Sequence, residues 1–274
     1  VNKVKAVLVL GSGSGNTLCP LAERKKVVLI AVGASDPRFV KGKKYCFTHW
    51  VPPKQETDLM VKEIKRKGYK SVVLVASQQE GIYAFVTAFK KSLAGAGLEN
   101  TLRKEVYVLP GTTDFRTIIT AFKSKSPDAI VSILLPGSLG IFALQVREQG
   151  IKADFVGAES FESREEVRNS RGALLNQWYV NGGMGTREFR KKYFSRWRKE
   201  PGWASCNGYD SLKLVVEGTG KSFSVDTLAQ FLFTVSNFRG GCGVYSATGD
   251  NRFSLPAELR IVKKDGFYPL YSKK

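Results

Sequence analysis

The sequence predicts an α/β fold built on parallel sheets, and three observations carry that prediction. Short apolar runs alternate with helical stretches along most of the 274 residues, the pattern of strands joined by crossover helices. The runs are unbroken Val, Ile and Leu rather than alternating polar and apolar, so helices should cover both sheet faces. The stretches between them carry apolar residues at helical spacing, as in Phe115, Ile118, Ile119 and Phe122, and in Val86, Phe89 and Leu93.

The strands expected on this reading are Ala6–Leu10, Val27–Val32, Ser71–Ala76, Val106–Leu109, Ala129–Leu134, Phe155–Gly157 and Gln177–Val180. Gly95 and Gly97 stop one helix, and Pro110-Gly111 marks a turn after a strand. Asp226–Phe233 reads as a further helix. Beyond it, Gly240-Gly241-Cys242-Gly243, Thr248-Gly249-Asp250-Asn251 and Asp265-Gly266 punctuate short strands such as Leu259–Val262. That tail reads as antiparallel ribbon added to the α/β units.

Composition sets the outer limits. Hydrophobic residues at 43% and charged residues at 24% are globular values. No stretch approaches the roughly 18 unbroken apolar residues of a membrane helix. Val1 is preceded by no charged or apolar leader, so any export signal is expected to lie outside this sequence. Forty-three Lys and Arg against 24 acidic residues give a net charge of +19. Such an excess suits anionic surroundings such as lipid headgroups or cell-wall polymers, but the lysines are scattered rather than gathered in one tail.

Cys19, Cys46, Cys206 and Cys242 are widely spaced, and His49 is the one histidine. A zinc cluster would consume nearly every soft ligand in the chain, so no metal is expected. The cysteines fit either buried thiols or two disulfides in an oxidising compartment. Sequence leaves the pairing open; if bridges form, the expectation is Cys19–Cys46 and Cys206–Cys242, one in each half.

Several local patterns then fall in one order. Pro20-Leu21-Ala22-Glu23, Val27–Ile30 and Gly33-Ala34-Ser35-Asp36-Pro37 come first. Tyr45-Cys46-Phe47-Thr48 with Gln55, Lys67–Val73, and Gln78-Gln79-Glu80-Gly81 follow. Gly111–Phe115, Ser126–Ile130, Glu148–Ile151, Gly157-Ala158-Glu159-Ser160, Gly208-Tyr209-Asp210 and the closing Gly243, Gly249-Asp250 and Lys264-Asp265-Gly266 complete the series. Together they resemble the type I periplasmic binding proteins, specifically the leucine/isoleucine/valine-binding class that serves ABC transporters.

The resemblance implies two doubly wound parallel-sheet lobes joined by hinge crossings, with a ligand held in the cleft between them. It suggests residues 1–110 as a first lobe, 111–235 as a second, and 236–274 as a hinge-crossing ribbon. The family normally begins with two further βα units, about 60 residues at about 30 per unit. The first lobe is therefore expected to lack them, leaving Ala6–Leu10 an unpaired apolar edge that invites a strand from a second copy or another polypeptide.

The resemblance also implies the candidate site. Gly33, Ala34 and Ser35 would offer backbone N–H groups and a hydroxyl to a ligand carboxylate. Ser12 and Ser14, in Gly11-Ser12-Gly13-Ser14-Gly15, match a loop that holds a ligand serine; the spacing and the missing lysine exclude a nucleotide-binding loop. Glu159 falls where the family pairs a carboxylate with a ligand ammonium. Glu80 stands where an aromatic is usual, and Leu135-Pro136-Gly137 replaces another. Both changes weaken the carry-over of branched-chain specificity, and Glu80 near Glu159 suits a ligand with extra positive charge. Trp50 could cover a ligand, although large aromatics are more often core.

In Arg187–Trp203, Arg190, Lys191, Lys192, Arg196, Arg198 and Lys199 interleave with Phe189, Tyr193, Phe194 and Trp197. Phe189, Tyr193 and Trp197 recur every four residues and should form a core face, with the charges solvated. A nucleic-acid partner is not expected, and an anionic surface is only a minor alternative. No nucleophile, base and orienting group are spaced to act together, so no enzyme activity and no cofactor are expected. The sequence reads as an exported solute-binding protein, periplasmic or at the cell surface, taking an amino-acid-like ligand to an ABC permease. The alternative is a divergent sensor or interaction module on the same fold.

Overall fold

The structure, a computed structural model, describes residues 4–220 and 224–271. The chain divides into two compact units, Val1–Pro53 with Gly182–Pro256, and Lys54–Asn181 with Ala257–Lys274. The boundaries differ from continuous lobes of 1–110 and 111–235 with a separate 236–274 tail. Strand pairing decides this, because the Val72–Ser77 strand hydrogen-bonds to Ala129–Ile133, on the far side of the expected division.

The first unit opens with β1 (Ala6–Leu10), α1 (Gly11–Lys25), β2 (Val28–Val32) and β3 (Cys46–His49). These strands form a parallel sheet in the order β1-β2-β3. Every residue of β2 is buried, while β1 alternates between half-buried and exposed. Among the described residues β1 pairs on one side only, and Leu10 is 59% exposed.

The second unit continues with α2 (Pro53–Lys67), β4 (Val72–Ser77), α3 (Glu80–Gly95), β5 (Leu102–Val108), α4 (Arg116–Lys123) and β6 (Ala129–Ile133). It runs on through α5 (Leu139–Glu148), β7 (Asp154–Gly157), α6 (Arg164–Asn169) and β8 (Trp178–Gly182). The chain returns to the first unit for α7 (Arg187–Trp197), α8 (Ser205–Thr219), α9 (Val225–Thr234), β9 (Phe238–Gly240) and β10 (Gly243–Tyr245). It closes on the second with β11 (Ala257–Val262) and β12 (Phe267–Pro269).

The sheet of the second unit runs β12-β11-β8-β7-β6-β4-β5, with β5, β4, β6, β7 and β8 mutually parallel. The period of two along β4 splits its side chains between two cores. Val73 and Val75 pack with Ile119 and Phe122 of α4 and with Phe142 and Val146 of α5. Val72, Leu74 and Ala76 pack with Met60 and Ile64 of α2 and with Phe85 and Phe89 of α3. Both faces are covered, as the unbroken apolar runs required. The tail is antiparallel in β9–β10 and in β11–β12, but β11 joins the large sheet beside β8 instead of standing apart.

Disulfides join Cys19 to Cys46 and Cys206 to Cys242, with Cα separations of 5.9 and 5.1 Å. These are the expected pairings, one bridge in each half of the sequence. All four cysteines belong to the first unit, because residues 182–256 fold back onto it. Cys19, Cys46 and Glu23 lie close enough to suggest a metal cluster, but the disulfide occupies both sulfurs.

Candidate functional site

Open parallel sheets bind ligands outside the carboxyl ends of their strands, where successive loops and helix starts converge. In each unit the candidate residues fall at such ends.

In the first unit β1 runs directly into α1, so Gly11–Gly15 is the first turn of a helix rather than a free loop. Ser12 is buried, and its Oγ accepts hydrogen bonds from the Ser35 and Asp36 amides at 3.1 and 3.2 Å. The Ser35 N–H is thus directed at Ser12, a correction to its expected role as a donor toward ligand. Ser14 is exposed on α1. The turn after β2 is held from below as well. Thr48 Oγ1 donates to the Ala34 carbonyl at 2.7 Å, and the buried Asp36 carboxylate accepts from Arg38 and Asn16. The Arg38 and Asn16 bonds outweigh burial and keep the Asp36 carboxyl below its ordinary pKa.

Gly33 bends this turn with a φ of +66°. Trp203 lies over it, so close that a Cβ at residue 33 would sit 2.9 Å from the ring. Trp50, expected as a possible ligand cover, is buried, and its ring meets Trp203 edge-on at 5.8 Å. Trp203, 38% exposed, is the aromatic that stands at the loop surface. No local sequence signal marks it, because its placement depends on the return of residues 182–256 to this unit.

His49 ends β3 and is fully buried. Its Nε2 lies 2.8 Å from the Tyr245 hydroxyl and its Nδ1 3.2 Å from Asn207 Nδ2. Burial lowers its pKa to about 3, so the ring is neutral and serves as a structural hydrogen-bonding group.

In the second unit the ends of β4, β6 and β7 carry Gln78–Glu80, Leu134–Gly137 and Ala158–Ser160. Ser77 Oγ accepts from the Leu135 amide at 3.2 Å, and Ser160 Oγ donates to the Leu134 carbonyl at 2.6 Å, tying the three ends together. The buried Glu166 carboxylate accepts from the Gly137 and Gly140 amides and fixes the turn before α5. Glu80 is exposed in the first turn of α3. Glu159 is half-buried at the start of the one-turn helix Glu159–Glu162, and burial raises its pKa.

The Glu162 charge raises the Glu159 pKa further, and the Glu159 charge in turn acts on Glu56. Glu56 lies in the first turn of α2, 1% exposed, and neither carboxylate oxygen has a hydrogen-bond partner. Burial and the Glu159 charge push its pKa well above the carboxylate range. Other buried acids of this unit are satisfied: Glu63 by Arg66 and Tyr271, Glu166 by two amides. Glu56 therefore stands out as a buried carboxyl group waiting for a donor. The sequence held a signal for it: Glu56, Met60 and Ile64 share one helical face, and an acid on a core face calls for a partner.

Two α/β units with candidate polar groups at their strand ends define a small-molecule binding protein. The chain belongs to the periplasmic binding protein family, which matches residues 1–266. Solved structures share the fold. A leucine binding protein of Thermotoga maritima aligns over 98% of this chain and 79% of its own, with a TM-score of 0.88 and 19% identity. The branched-chain amino acid binding protein of Streptococcus pneumoniae, solved with isoleucine, covers 97% and 78%, with a TM-score of 0.85 and 23% identity. A solute binding protein of Rhodopseudomonas palustris, solved with benzoate, covers 98% and 77%, with a TM-score of 0.86 and 16% identity. No curated protein matches the sequence. Among the described residues, no helix is long and apolar enough to cross a membrane.

Proposed function

We propose that the chain is an extracytoplasmic solute-binding protein that captures an amino acid or related small molecule for an ABC importer and performs no chemistry. The unpartnered Glu56 carboxyl beside Glu159 carries this reading. Two acids crowded in a low-dielectric site cannot both ionise unless a cation joins them, and a ligand ammonium is such a cation. Benzoate, bound by one structural relative, has no cation for the acid pair, so the acid pair favours an amino acid over an aromatic acid. A second positive charge on the ligand would suit the pair further.

A thermal-shift panel of leucine, lysine and 4-methylpentanoate, which is leucine without its ammonium, tests this. The reading predicts stabilisation by an amino acid, larger for lysine, and none by 4-methylpentanoate. Stabilisation by 4-methylpentanoate alone would overturn it.

The β1 edge supports a second, compatible proposal. Its one-sided pairing and exposed Leu8 and Leu10 suit the addition of a parallel strand, from a second copy or another polypeptide. Concentration-dependent sedimentation checks self-association, and a Leu10→Lys variant should abolish it.

A further inference from the structure

A groove of about 370 Å³ lies in the first unit among α7, α8 and the β9 turn, and none of the candidate ligand residues lines it. Its size is that of a small-molecule site. The expectation that Phe189, Tyr193 and Trp197 form a core face fails along α7. Phe189 is buried, Tyr193 is half-buried, and Trp197 is 59% exposed. The aromatic stripe thus leaves the core and becomes a wall of the groove. Tyr209 of α8 extends it, with its ring 5.5 Å from that of Phe189.

Four cationic side chains and one acid line the same groove. The acid, Glu188, is held by Lys192 at 2.7 Å. Lys213 donates to the Arg239 carbonyl at 2.8 Å, which fixes the opposite wall. Arg196 and Arg239 have no carboxylate partner among the described residues, and Arg196 lies over the Trp197 ring at 5.4 Å. Unneutralised guanidinium groups beside exposed aromatic rings recognise a planar ring and an anionic group together.

We propose that this groove is a second ligand site, taking a small organic anion that carries a flat ring, with carboxylate or phosphate meeting Arg196 and Arg239 and the ring stacking on Trp197. The proposal stands independently of the amino-acid reading.

Calorimetric titration of the whole chain at low salt with phenyl phosphate, phenylacetate, inorganic phosphate and phenol tests it. Phenyl phosphate or phenylacetate should bind at least about tenfold more tightly than inorganic phosphate or phenol, and the tighter of the two identifies the anionic group. The double variant Arg196→Ala/Arg239→Ala should weaken that binding about tenfold or more, and Trp197→Ala should erase the preference for a ring. All three residues are exposed, so an unchanged melting temperature verifies folding. Equal affinity for wild type and double variant, no ring preference, or no binding of any of the four probes would overturn the proposal. So would binding confined to phosphatidylglycerol vesicles, which would make this a membrane-facing surface instead.

Discussion

Trp203 packs on Gly33 with no room for a methyl group between them, since a Cβ there would meet the ring at 2.9 Å. The left-handed φ of +66° adds a backbone cost of roughly 1–2 kcal/mol for any other residue. Gly33→Ala should therefore lose about 2–3 kcal/mol of stability. In a double-mutant cycle with Trp203→Ala, part of the loss should return, because removing the ring relieves the clash but not the strained φ. Denaturant unfolding of the four proteins measures this; strict additivity would show that the two residues do not meet.

Glu56 should make stability fall as pH rises. Its folded-state pKa lies above the ordinary 4.5, so the folded form is favoured when the carboxyl is protonated. That advantage is lost as pH climbs from about 4.5 through the raised value. Glu56→Gln keeps the shape without the charge and should raise the melting temperature at pH 8 while changing little at pH 4. A lower melting temperature for the variant at pH 8 would mean that Glu56 has a cationic partner already.

The single histidine gives a probe free of assignment problems. With its pKa lowered to about 3 by burial, His49 should show no imidazole titration by NMR between pH 7.5 and 4.5. The linked effect on stability has the opposite sign to that of Glu56. Below pH 6.5 the unfolded chain takes up a proton that the folded chain refuses, so the His49 contribution falls by about 1.4 kcal/mol per pH unit toward pH 3. An ordinary titration near 6.5 would show that the ring is solvated.

The Cys206–Cys242 bridge closes a loop of separation 36, for which the chain-entropy account gives about 4 kcal/mol. Asp210 accepts from the Gly241 and Cys242 amides at 2.5 and 2.9 Å, holding the same turn without the disulfide. Cys206→Ala/Cys242→Ala should thus remain folded but melt at markedly lower temperature, as monitored by circular dichroism.

Legibility in the sequence followed how local each signal was. The strand from Ala6 to Leu10 was readable to the residue, and most parallel strands to within one or two, because apolar runs bounded by turns are local. The β5 strand was read four residues short at its start, since Leu102–Glu105 mixes charge into an edge strand whose side chains are half-exposed. Division into units was misread, because it depends on the pairing of β4 with β6 and on the return of residues 182–256, neither of which leaves a local trace. The same non-local return hid Trp203. Glu159, Ser12 and the Gly33 turn came from family resemblance, whereas the Ser12 bonds to the Ser35 and Asp36 amides and the missing partner of Glu56 are supplied only by the fold.

The central claim is that Glu159, with Glu56, receives the ammonium of an amino-acid ligand. Calorimetric titration of wild type and Glu159→Gln with the amino acid that gives the largest thermal shift tests it most directly. Loss of a charge-assisted hydrogen bond should weaken binding about 30-fold or more while the melting temperature of the unliganded variant holds or rises. Equal affinity of the two proteins, or no amino acid binding to wild type, would contradict the account.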